Sequence, residues 1–240
     1  MNSPNRVFQR PEAKLERNTT IISCLLWDVD GTMVDTTALI VASLDHIYRR
    51  YYGRTLPETE LRALIGTPLR SQIRIFGEPE TFGVDAETVT AECIHYYEKH
   101  RDQERILTAV TDLLKEGKRR GLPTALVTSK NREELANTLP RLGIAESVDL
   151  AITADDVVNP KPDPEGLRSA LQQFGIPPDR AGEAFYIGDT VHDMRAARGA
   201  GVPGIGVTWG AATREQLMAE NPVLICDTPE ELRVALFGRA

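Results

Sequence analysis

The sequence predicts an α/β fold, a doubly wound parallel sheet with a Rossmann-like core and an inserted all-helical cap domain. Residues 21–27 form a near-continuous apolar run, which is typical of a strand buried on both faces of a parallel sheet. Residues 36–104 then show helical signals and no convincing strand. From residue 108 onward, helix and strand signals alternate strictly, as in a sheet covered by helices on both faces.

The individual elements follow from apolar spacing and from Gly and Pro punctuation. A helix at 36–52 has apolar residues at helical spacing and ends at Gly53. Further cap helices are expected at 57–64, 68–76 and 86–99. The remaining core elements are expected as helices at 108–120, 132–142, 164–174, 191–200 and 229–236, and as strands at 123–128, 150–153, 184–188, 204–207 and 223–226.

These elements divide the chain into three parts. Residues 1–20 are expected to form a flexible N-terminal arm, with a short docking helix at 12–17 as the alternative. Residues 21–35 and 105–240 are expected to form the catalytic core, and residues 36–104 the cap.

Composition and charge narrow the class of protein. The 240 residues are 41% hydrophobic and 26% charged, so a core can form without disulfide bonds or a structural metal. The net charge of −7 disfavours nucleic acid and anionic membranes as partners. No apolar run approaches the roughly 20 residues that span a bilayer, and residues 1–20 lack the apolar centre of a secretory signal. Cys24, Cys93 and Cys226 are an odd number of distant cysteines, which favours a reducing cytoplasm.

Polar residues follow the predicted strands at the points where the strands end. Because ligands bind at the carboxyl ends of the strands in open α/β sheets, we expect these side chains to share one rim of the sheet. In chain order they are Asp28 and Asp30, Thr128 and Ser129, Lys161, and Asp189.

The chemistry of this group points to phosphate and a divalent cation. Asp28 and Asp189 can share one hard cation, since carboxylates, waters and a substrate phosphate are the usual ligands of Mg²⁺. Lys161 supplies a positive charge, while Thr128 and the N–H groups after Asp28 supply donors for phosphate oxygens. A carboxylate can attack phosphorus once the charge of the phosphate is neutralised. Asp30 can protonate the leaving oxygen and later accept a proton from water.

Four segments, in order along the chain, resemble the motifs of the phosphatases of the haloacid dehalogenase superfamily. The match runs from residue 21 to about residue 210. Each motif alone is weak, but four in order, each at a predicted strand end, are specific. The segments are Asp-Val-Asp-Gly-Thr-Met-Val-Asp at 28–35, Thr-Ser-Lys at 128–130, Lys-Pro at 161–162, and Gly-Asp-Thr-Val-His-Asp at 188–193.

The resemblance implies a role for each of these residues. Asp28 would be the nucleophile and Asp30 the general acid–base. Mg²⁺ would be bound by Asp28, the backbone carbonyl of Asp30, and Asp189, with Asp193 beside the metal. The residues expected to bind phosphate are Gly31, Thr128, Ser129 and Lys161.

Simpler interpretations of some of these residues stay open. Asp193 could be only an acid that is favourable in the first turn of a helix. Ser129 and Lys130 could only flank the site. His192 lies between two motif acids, and the favoured interpretation is a solvated side chain.

The predicted cap resembles the helical caps of phosphoglycolate phosphatases and β-phosphoglucomutases. Within that group, Gly-Thr-Pro-Leu at 66–69 and Gly-Val-Thr-Trp-Gly at 206–210 are most similar to phosphoglycolate phosphatase and its pyrophosphatase relatives. Gly66, Thr67 and Arg70 are therefore candidates for substrate specificity. Arg70 and Arg74 share one helix face, which could clamp a substrate carboxylate or a second phosphate, or could be a solvated basic face.

We therefore expect a Mg²⁺-dependent phosphatase that hydrolyses a small phosphate monoester, such as 2-phosphoglycolate, through an aspartyl-phosphate on Asp28. Its partner would be a small phosphorylated metabolite, with no nucleic acid and no membrane, and the protein would be a monomer or homodimer. The alternatives are a β-phosphoglucomutase-type phosphosugar mutase and a pyrophosphatase. The intact set of catalytic residue types disfavours a non-catalytic protein, and Asp30 and Asp189 disfavour dehalogenation at carbon.

Overall fold

The structure of the chain is a computed structural model that describes residues 22–238. The predictions for residues 1–20, a flexible arm or a short docking helix, lie outside the described residues. Between residues 22 and 238, no helix combines the length and the apolar character that crossing a bilayer requires.

Six strands form one parallel sheet, and two short strands form a separate ribbon. In chain order the strands of the described residues are β1 (Cys24–Trp27), β2 (Val34–Asp35), β3 (Arg105–Ile106), β4 (Thr124–Val127), β5 (Leu150–Ile152), β6 (Ala184–Gly188), β7 (Gly204–Val207) and β8 (Leu224–Cys226). The order in the sheet is β5-β4-β1-β6-β7-β8. The chain builds outward from β1 to β5 and then returns to β6 on the other side of β1. This reversal creates a crevice at the carboxyl ends of β1 and β6, where ligands bind in doubly wound folds.

Helices outside the inserted segment cover both faces of this sheet, so the predicted fold class is confirmed. In chain order the α-helices of the described residues are α1 (Thr37–Tyr52), α2 (Glu58–Leu64), α3 (Leu69–Gln72), α4 (Ala86–Lys99), α5 (Thr108–Arg119), α6 (Arg132–Leu142), α7 (Glu165–Gln173), α8 (Val191–Ala200), α9 (Arg214–Ala219) and α10 (Pro229–Phe237). Alternate side chains of β1 enter two separate cores, because successive residues of a strand point to opposite faces. Leu25 and Trp27 pack against α5 and α10, whereas Cys24 and Leu26 pack against α7 and α8.

Helices α1 to α4 form the inserted cap, which has a hydrophobic core of its own. Leu44 of α1 packs in this core with Leu61 of α2 and Val89 of α4. The chain enters and leaves the cap through β2 and β3, which pair antiparallel. The sequence analysis missed this ribbon because strands of two residues show no periodicity.

Two other elements differ from the prediction. The helix expected at 68–76 ends at Gln72, and turns follow in which the N–H of Arg74 donates to the carbonyl of Ser71. The β-branched Ile73 and Ile75 in this segment are weaker helix formers than Leu or Ala. Helix α9 was not predicted, although the capping box at its start is a recognisable helix signal.

Candidate active site

Asp28 follows β1 directly and lies in the crevice between β1 and β6. Its N–H donates to the carbonyl of Ile187 at 2.9 Å, so the pairing of the two strands continues to this residue. The chain then turns, and the N–H of Gly31 closes the turn on the carbonyl of Val34 at 2.8 Å. Asp28 is only 3% exposed. Its carboxylate therefore lies on the buried floor of the crevice.

Three carboxylates meet on this floor. Asp28 comes from the end of β1, Asp189 from the end of β6, and Asp193 from the first turn of α8. One ligand oxygen of each lies within 4.8 Å of the others. Asp189 and Asp193 are completely buried. The structure thus brings together the acids that the motifs pointed to.

Within residues 22–238, Lys161 is the cation that forms ion pairs with this cluster. Its Nζ lies 2.8 Å from Asp28 Oδ1 and 2.6 Å from Asp193 Oδ1, and it donates to the Tyr186 hydroxyl at 3.0 Å. Burial alone would lower the pKa of Lys161, but the charges of Asp193 and Asp28 raise it. Lys161 therefore stays charged although it is buried.

Negative charge exceeds positive charge in this cluster, which contains three carboxylates and one ammonium group. Burial raises the pKa of Asp28 to about 7, with Lys161 opposing this shift and Asp193 adding to it. Burial and the charges of Asp193 and Asp28 also raise the pKa of Asp189 well above its usual range. A divalent cation would compensate this excess, and carboxylate oxygens are the ligands that Mg²⁺ prefers. The residues that could hold it are Asp28 and Asp189, with Asp193 within reach.

Both oxygens of Asp193 already have protein partners. Oδ1 accepts from Lys161 and lies 2.9 Å from the Tyr186 hydroxyl. Oδ2 accepts from the N–H and the hydroxyl of Thr190, at 2.9 and 2.6 Å, which forms the capping box of α8. Burial opposes ionisation of Asp193, but Lys161 lowers its pKa below the usual value. Asp193 thus caps a helix and holds Lys161, in addition to any contact with a metal.

Mg²⁺ binding should release a proton at low pH. Because the pKa of Asp28 without metal is about 7 rather than 3.8, the carboxyl must lose its proton before it can bind a cation. The apparent Mg²⁺ affinity should rise with pH toward and through about 7, more steeply than for one carboxyl group, because the pKa of Asp189 is raised as well. Calorimetric Mg²⁺ titrations in two buffers of different ionisation heat measure the protons released. An affinity that does not change between pH values below and above 7 would contradict this assignment.

The same shift in the pKa of Asp28 means that the contribution of Asp28 to the stability of the metal-free protein falls as the pH rises from 3.8 to about 7, since ionisation of Asp28 disfavours the folded state.

Asp189 is enclosed by backbone that approaches it closely. Thr32 Oγ1 donates to Oδ1 at 3.0 Å, and the N–H of Ala211 donates to Oδ2 at 2.7 Å. A Cβ atom added at Gly31 or at Gly210 would lie 2.1 Å from Asp189 Oδ2. Neither position can carry a side chain unless Asp189 moves.

Gly31→Ala should therefore disturb the metal-binding acids. The new methyl group would collide with Asp189, and Gly31 also has a positive φ of +74°. We expect a loss of about 2–5 kcal/mol of stability, together with weakened Mg²⁺ binding. Gly53→Ala is a matched control, since Gly53 has a φ of +65° but nothing within 4 Å of its added Cβ. It should cost about 1–2 kcal/mol. Urea unfolding and calorimetry measure both quantities, and equal effects of the two variants would refute the argument from the collision.

The donors available to a phosphate differ in part from those predicted. Thr128 lines the cleft, and its Oγ1 accepts from the N–H of Lys130 at 3.2 Å, so its own hydroxyl hydrogen can point to a ligand. The N–H of Gly31 is already bonded to the carbonyl of Val34, and the contact of Gly31 with phosphate stays a prediction. Within residues 22–238, the N–H groups of Val29 and Asp30 donate to no protein group, and these are the backbone donors at this turn.

Ser129 is placed at the cleft, but its hydroxyl serves another purpose. Its Oγ donates to the carbonyl of Gly66 in the cap at 2.6 Å. This hydrogen bond uses the hydroxyl hydrogen of Ser129 that would otherwise donate to a phosphate oxygen. Ser129 thus joins core and cap, and its phosphate contact stays a prediction.

Asp30 lies at the rim of the same cleft, and a lysine that the sequence analysis treated as a flanking residue contacts it. Lys130 Nζ is 2.9 Å from Asp30 Oδ2, and only 9% of the Lys130 side chain is exposed. The interpretation of Lys130 as a mere neighbour of the site is wrong. Its sequence signal was weak, because a lysine after a strand is most often solvated.

The cap contributes some of the predicted specificity residues and not others. Gly66 and Thr67 line the cleft. Arg70 is exposed and is not among the residues of that lining, which agrees with the interpretation as a solvated basic face; its role in specificity stays a prediction. The short α3 turns Gln72 inward and leaves Arg70 outside, while Arg74 pairs with Glu78.

His192 is not the solvated side chain that the sequence favoured. It is half-buried against the cap, with Nε2 3.4 Å from the carbonyl of Ala63, and a Cβ atom on Gly66 would lie 3.2 Å from its ring. Burial lowers the pKa of His192.

Tyr186, in the middle of β6, was also missed. The available signal was that a Tyr in a fully buried strand needs a polar partner for its hydroxyl, and here it finds Lys161 and Asp193.

Comparisons with known proteins agree with this fold. The family model described as haloacid dehalogenase-like hydrolase matches residues 25–207. The chain is 33% identical over 216 residues to the pyrophosphatase PpaX of Bacillus velezensis, which covers 88% of this chain and 94% of that protein. It is 35% identical over 214 residues to a Dickeya dadantii protein named Probable phosphatase IndB, covering 87% and 90%. The crystal structure of a hydrolase from Pseudomonas syringae superposes with a TM-score of 0.77 at 23% identity, covering 89% of this chain and 97% of that one.

The matched segment spans all four acids discussed above, Asp28, Asp30, Asp189 and Asp193, and also Lys161. We conclude that the chain belongs to the haloacid dehalogenase-like hydrolases, as its resemblance to the phosphatases of that superfamily predicted.

Proposed function

We propose that the protein is a Mg²⁺-dependent phosphohydrolase that cleaves a small organic phosphate monoester through an aspartyl-phosphate on Asp28. One observation carries the proposal. The Asp28 carboxylate lies on the buried floor of the cleft, held by Lys161 on one side and beside Asp189 on the other.

The proposed reaction has two steps. An oxygen of Asp28 attacks phosphorus, the bond to the ester oxygen breaks, and Asp30 gives that oxygen its proton. A water molecule then attacks phosphorus of the aspartyl-phosphate and gives a proton to Asp30, which releases phosphate and restores both acids. Lys161 and Thr128 stabilise the charge on the phosphoryl oxygens. Mg²⁺, when bound, supplies the positive charge that lets one anion approach another.

The inserted cap is proposed to exclude bulk water during this transfer. We propose its limits as residues 36–104, next to the ribbon of β2 and β3. Three contacts already join cap and core near the cleft: Ser129 to Gly66, His192 to Ala63, and Arg62 Nη2 to the carbonyl of Gly210 at 3.1 Å. The space open to the centres of water-sized molecules in the cleft is about 100 Å³, which is room for several waters. A small substrate suits this space.

The wall of the cleft favours an organic leaving group over phosphate. Its cap side contains several apolar side chains, Ile40, Leu44, Ile65, Leu69 and Ile94, beside the polar residues Ser43, Thr67 and Gln72. The cations that line the same cleft, Lys130 and Arg101, are paired with Asp30 and Glu98. The leaving group of pyrophosphate would lose water against this wall without gaining a free cation, whereas a short carbon skeleton would fit.

Pyrophosphate hydrolysis is the second candidate. The similarity to the pyrophosphatase of Bacillus velezensis favours it. The phosphosugar mutase is the third, and dependence on a sugar bisphosphate would reveal it.

Phosphate release from a panel of substrates tests the proposal. The panel contains 2-phosphoglycolate, other small alkyl phosphates, a sugar phosphate and pyrophosphate, each with Mg²⁺ and with EDTA. We expect Mg²⁺-dependent release from one or a few monoesters and a lower kcat/KM for pyrophosphate. A preference for pyrophosphate would select the second candidate, and no release by a folded protein that binds Mg²⁺ would reject hydrolysis.

The proposed location is the reducing cytoplasm. Cys24, Cys93 and Cys226 are buried and free, which is usual for proteins of a reducing compartment.

A further inference from the structure

Asp30 is held by two buried side chains, one on each carboxylate oxygen. Thr36 Oγ1, at the start of α1, donates to Oδ1 at 3.0 Å. Lys130 Nζ, after β4, lies 2.9 Å from Oδ2. One partner thus belongs to the entry into the cap and the other to the core. Together they fix the orientation of a carboxylate that is otherwise at the open rim of the cleft.

Lys130 is itself held in place. Its N–H donates to Thr128 Oγ1 at 3.2 Å, and its carbonyl accepts from the N–H of Ala154 at 2.9 Å. Its ammonium group lies 5.6 Å from the centre of the Tyr97 ring, on cap helix α4. The Tyr97 hydroxyl donates at 2.5 Å to the buried carboxylate of Glu104, which pairs with Arg141. Lys130 therefore has little freedom to turn toward another partner.

The charge of Lys130 is retained in this position. Burial alone would lower the pKa of Lys130, but the charges of Asp30 and Glu134 raise it. A buried lysine bound to the carboxyl group of Asp30 holds that group in one orientation, because a lysine that turned away would leave a buried polar group without a hydrogen-bond partner.

We propose that Lys130 is a positioning residue that aims Asp30 at the leaving oxygen of the substrate. The inference rests on the proposed phosphohydrolase function. In this proposal Lys130 acts through Asp30 and does not contact the phosphate. The effect should depend on the leaving group, because an alkoxide must be protonated as it departs, whereas p-nitrophenolate leaves readily without a proton.

The test compares kcat/KM for an alkyl phosphate with kcat/KM for p-nitrophenyl phosphate. For each substrate, kcat/KM reports the steps up to departure of the leaving group, where Asp30 acts as the acid. Lys130→Met should lower kcat/KM for the alkyl phosphate by about 10-fold or more beyond any loss measured with p-nitrophenyl phosphate. This loss is a part of the roughly 10²–10⁴-fold that a general acid contributes. Lys130→Gln, which keeps a donor of similar length, carries the same comparison if Lys130→Met does not fold. Lys115→Met is the control, since Lys115 forms an exposed pair with Asp112 on α5. This control should leave kcat/KM unchanged for both substrates.

A double-mutant cycle with Asp30→Asn completes the test. If Lys130 acts through Asp30, then Lys130→Met should cause no further loss on the alkyl phosphate once Asp30 is replaced. Equal losses on both substrates, a change in KM alone, or additive losses in the double variant would each overturn the inference. The proposed function fails separately, if the unmodified protein with Mg²⁺ hydrolyses neither substrate.

Discussion

Asp28→Asn is expected to reduce turnover by about 10⁴-fold or more while leaving the protein folded. The amide has the shape of the carboxyl group but cannot attack phosphorus, so no aspartyl-phosphate can form. Stability should be unchanged or higher, because one charge leaves a crowded acid cluster and Lys161 keeps its contact with Asp193 at 2.6 Å. Steady-state phosphate release and a thermal melt of the same sample measure the two quantities.

Asp112→Asn is the matched control for this experiment. It makes the same chemical change on the exposed side of α5, where Asp112 pairs with Lys115 at 3.4 Å. We expect full activity. Substantial hydrolysis by Asp28→Asn would sink the assignment of the nucleophile, and a large fall in melting temperature would show that Asp28 is needed chiefly for folding.

Lys161→Met is expected to have the second largest effect, and it should act on both activity and stability. The change leaves Asp28 and Asp193 buried without a cation. Removing one partner of a buried ion pair costs about 3–5 kcal/mol. Loss of the charge that faces the phosphoryl group should lower kcat/KM by about 10²–10³-fold.

The pH dependence of the Lys161→Met effect separates charge from packing. If the lost charge is the cause, the difference in stability from the unmodified protein should shrink as the pH falls and the carboxyls of Asp28 and Asp193 take up protons. Urea unfolding over a range of pH measures this difference, and Lys115→Met again serves as the control. A difference that is the same at every pH would point to lost packing and contradict the electrostatic account.

The residues on the floor of the crevice could be located from the sequence because strand ends are visible in it. Asp28 and Asp189 each follow an apolar run that ends abruptly, and parallel strands place their carboxyl ends on one edge of the sheet. Lys161 was found by its position in a proline-rich loop after another strand. For these residues local pattern and general topology were sufficient.

The contacts that cross between cap and core could not be predicted in the same way. The partners of Ser129 and His192 depend on how the cap lies on the core, which no local pattern encodes. Ser129 and His192 reach cap backbone at Gly66 and Ala63, more than 60 and 120 residues away in the chain. The exposed position of Arg70 could not be predicted for a related reason, since the face of a one-turn helix is set by its neighbours and not by helical periodicity.

The central claim, a covalent intermediate on Asp28, can be tested directly. The protein with Mg²⁺ is mixed with an excess of its best substrate, quenched in acid within the first turnover, digested and examined by mass spectrometry. The account predicts a peptide that spans residues 24–35, is heavier by one phosphoryl group, and loses that group on treatment with hydroxylamine, with fragmentation placing it on Asp28. A phosphoryl group found on another residue, or hydrolysis at full rate with no phosphorylated peptide at any quench time, would contradict it.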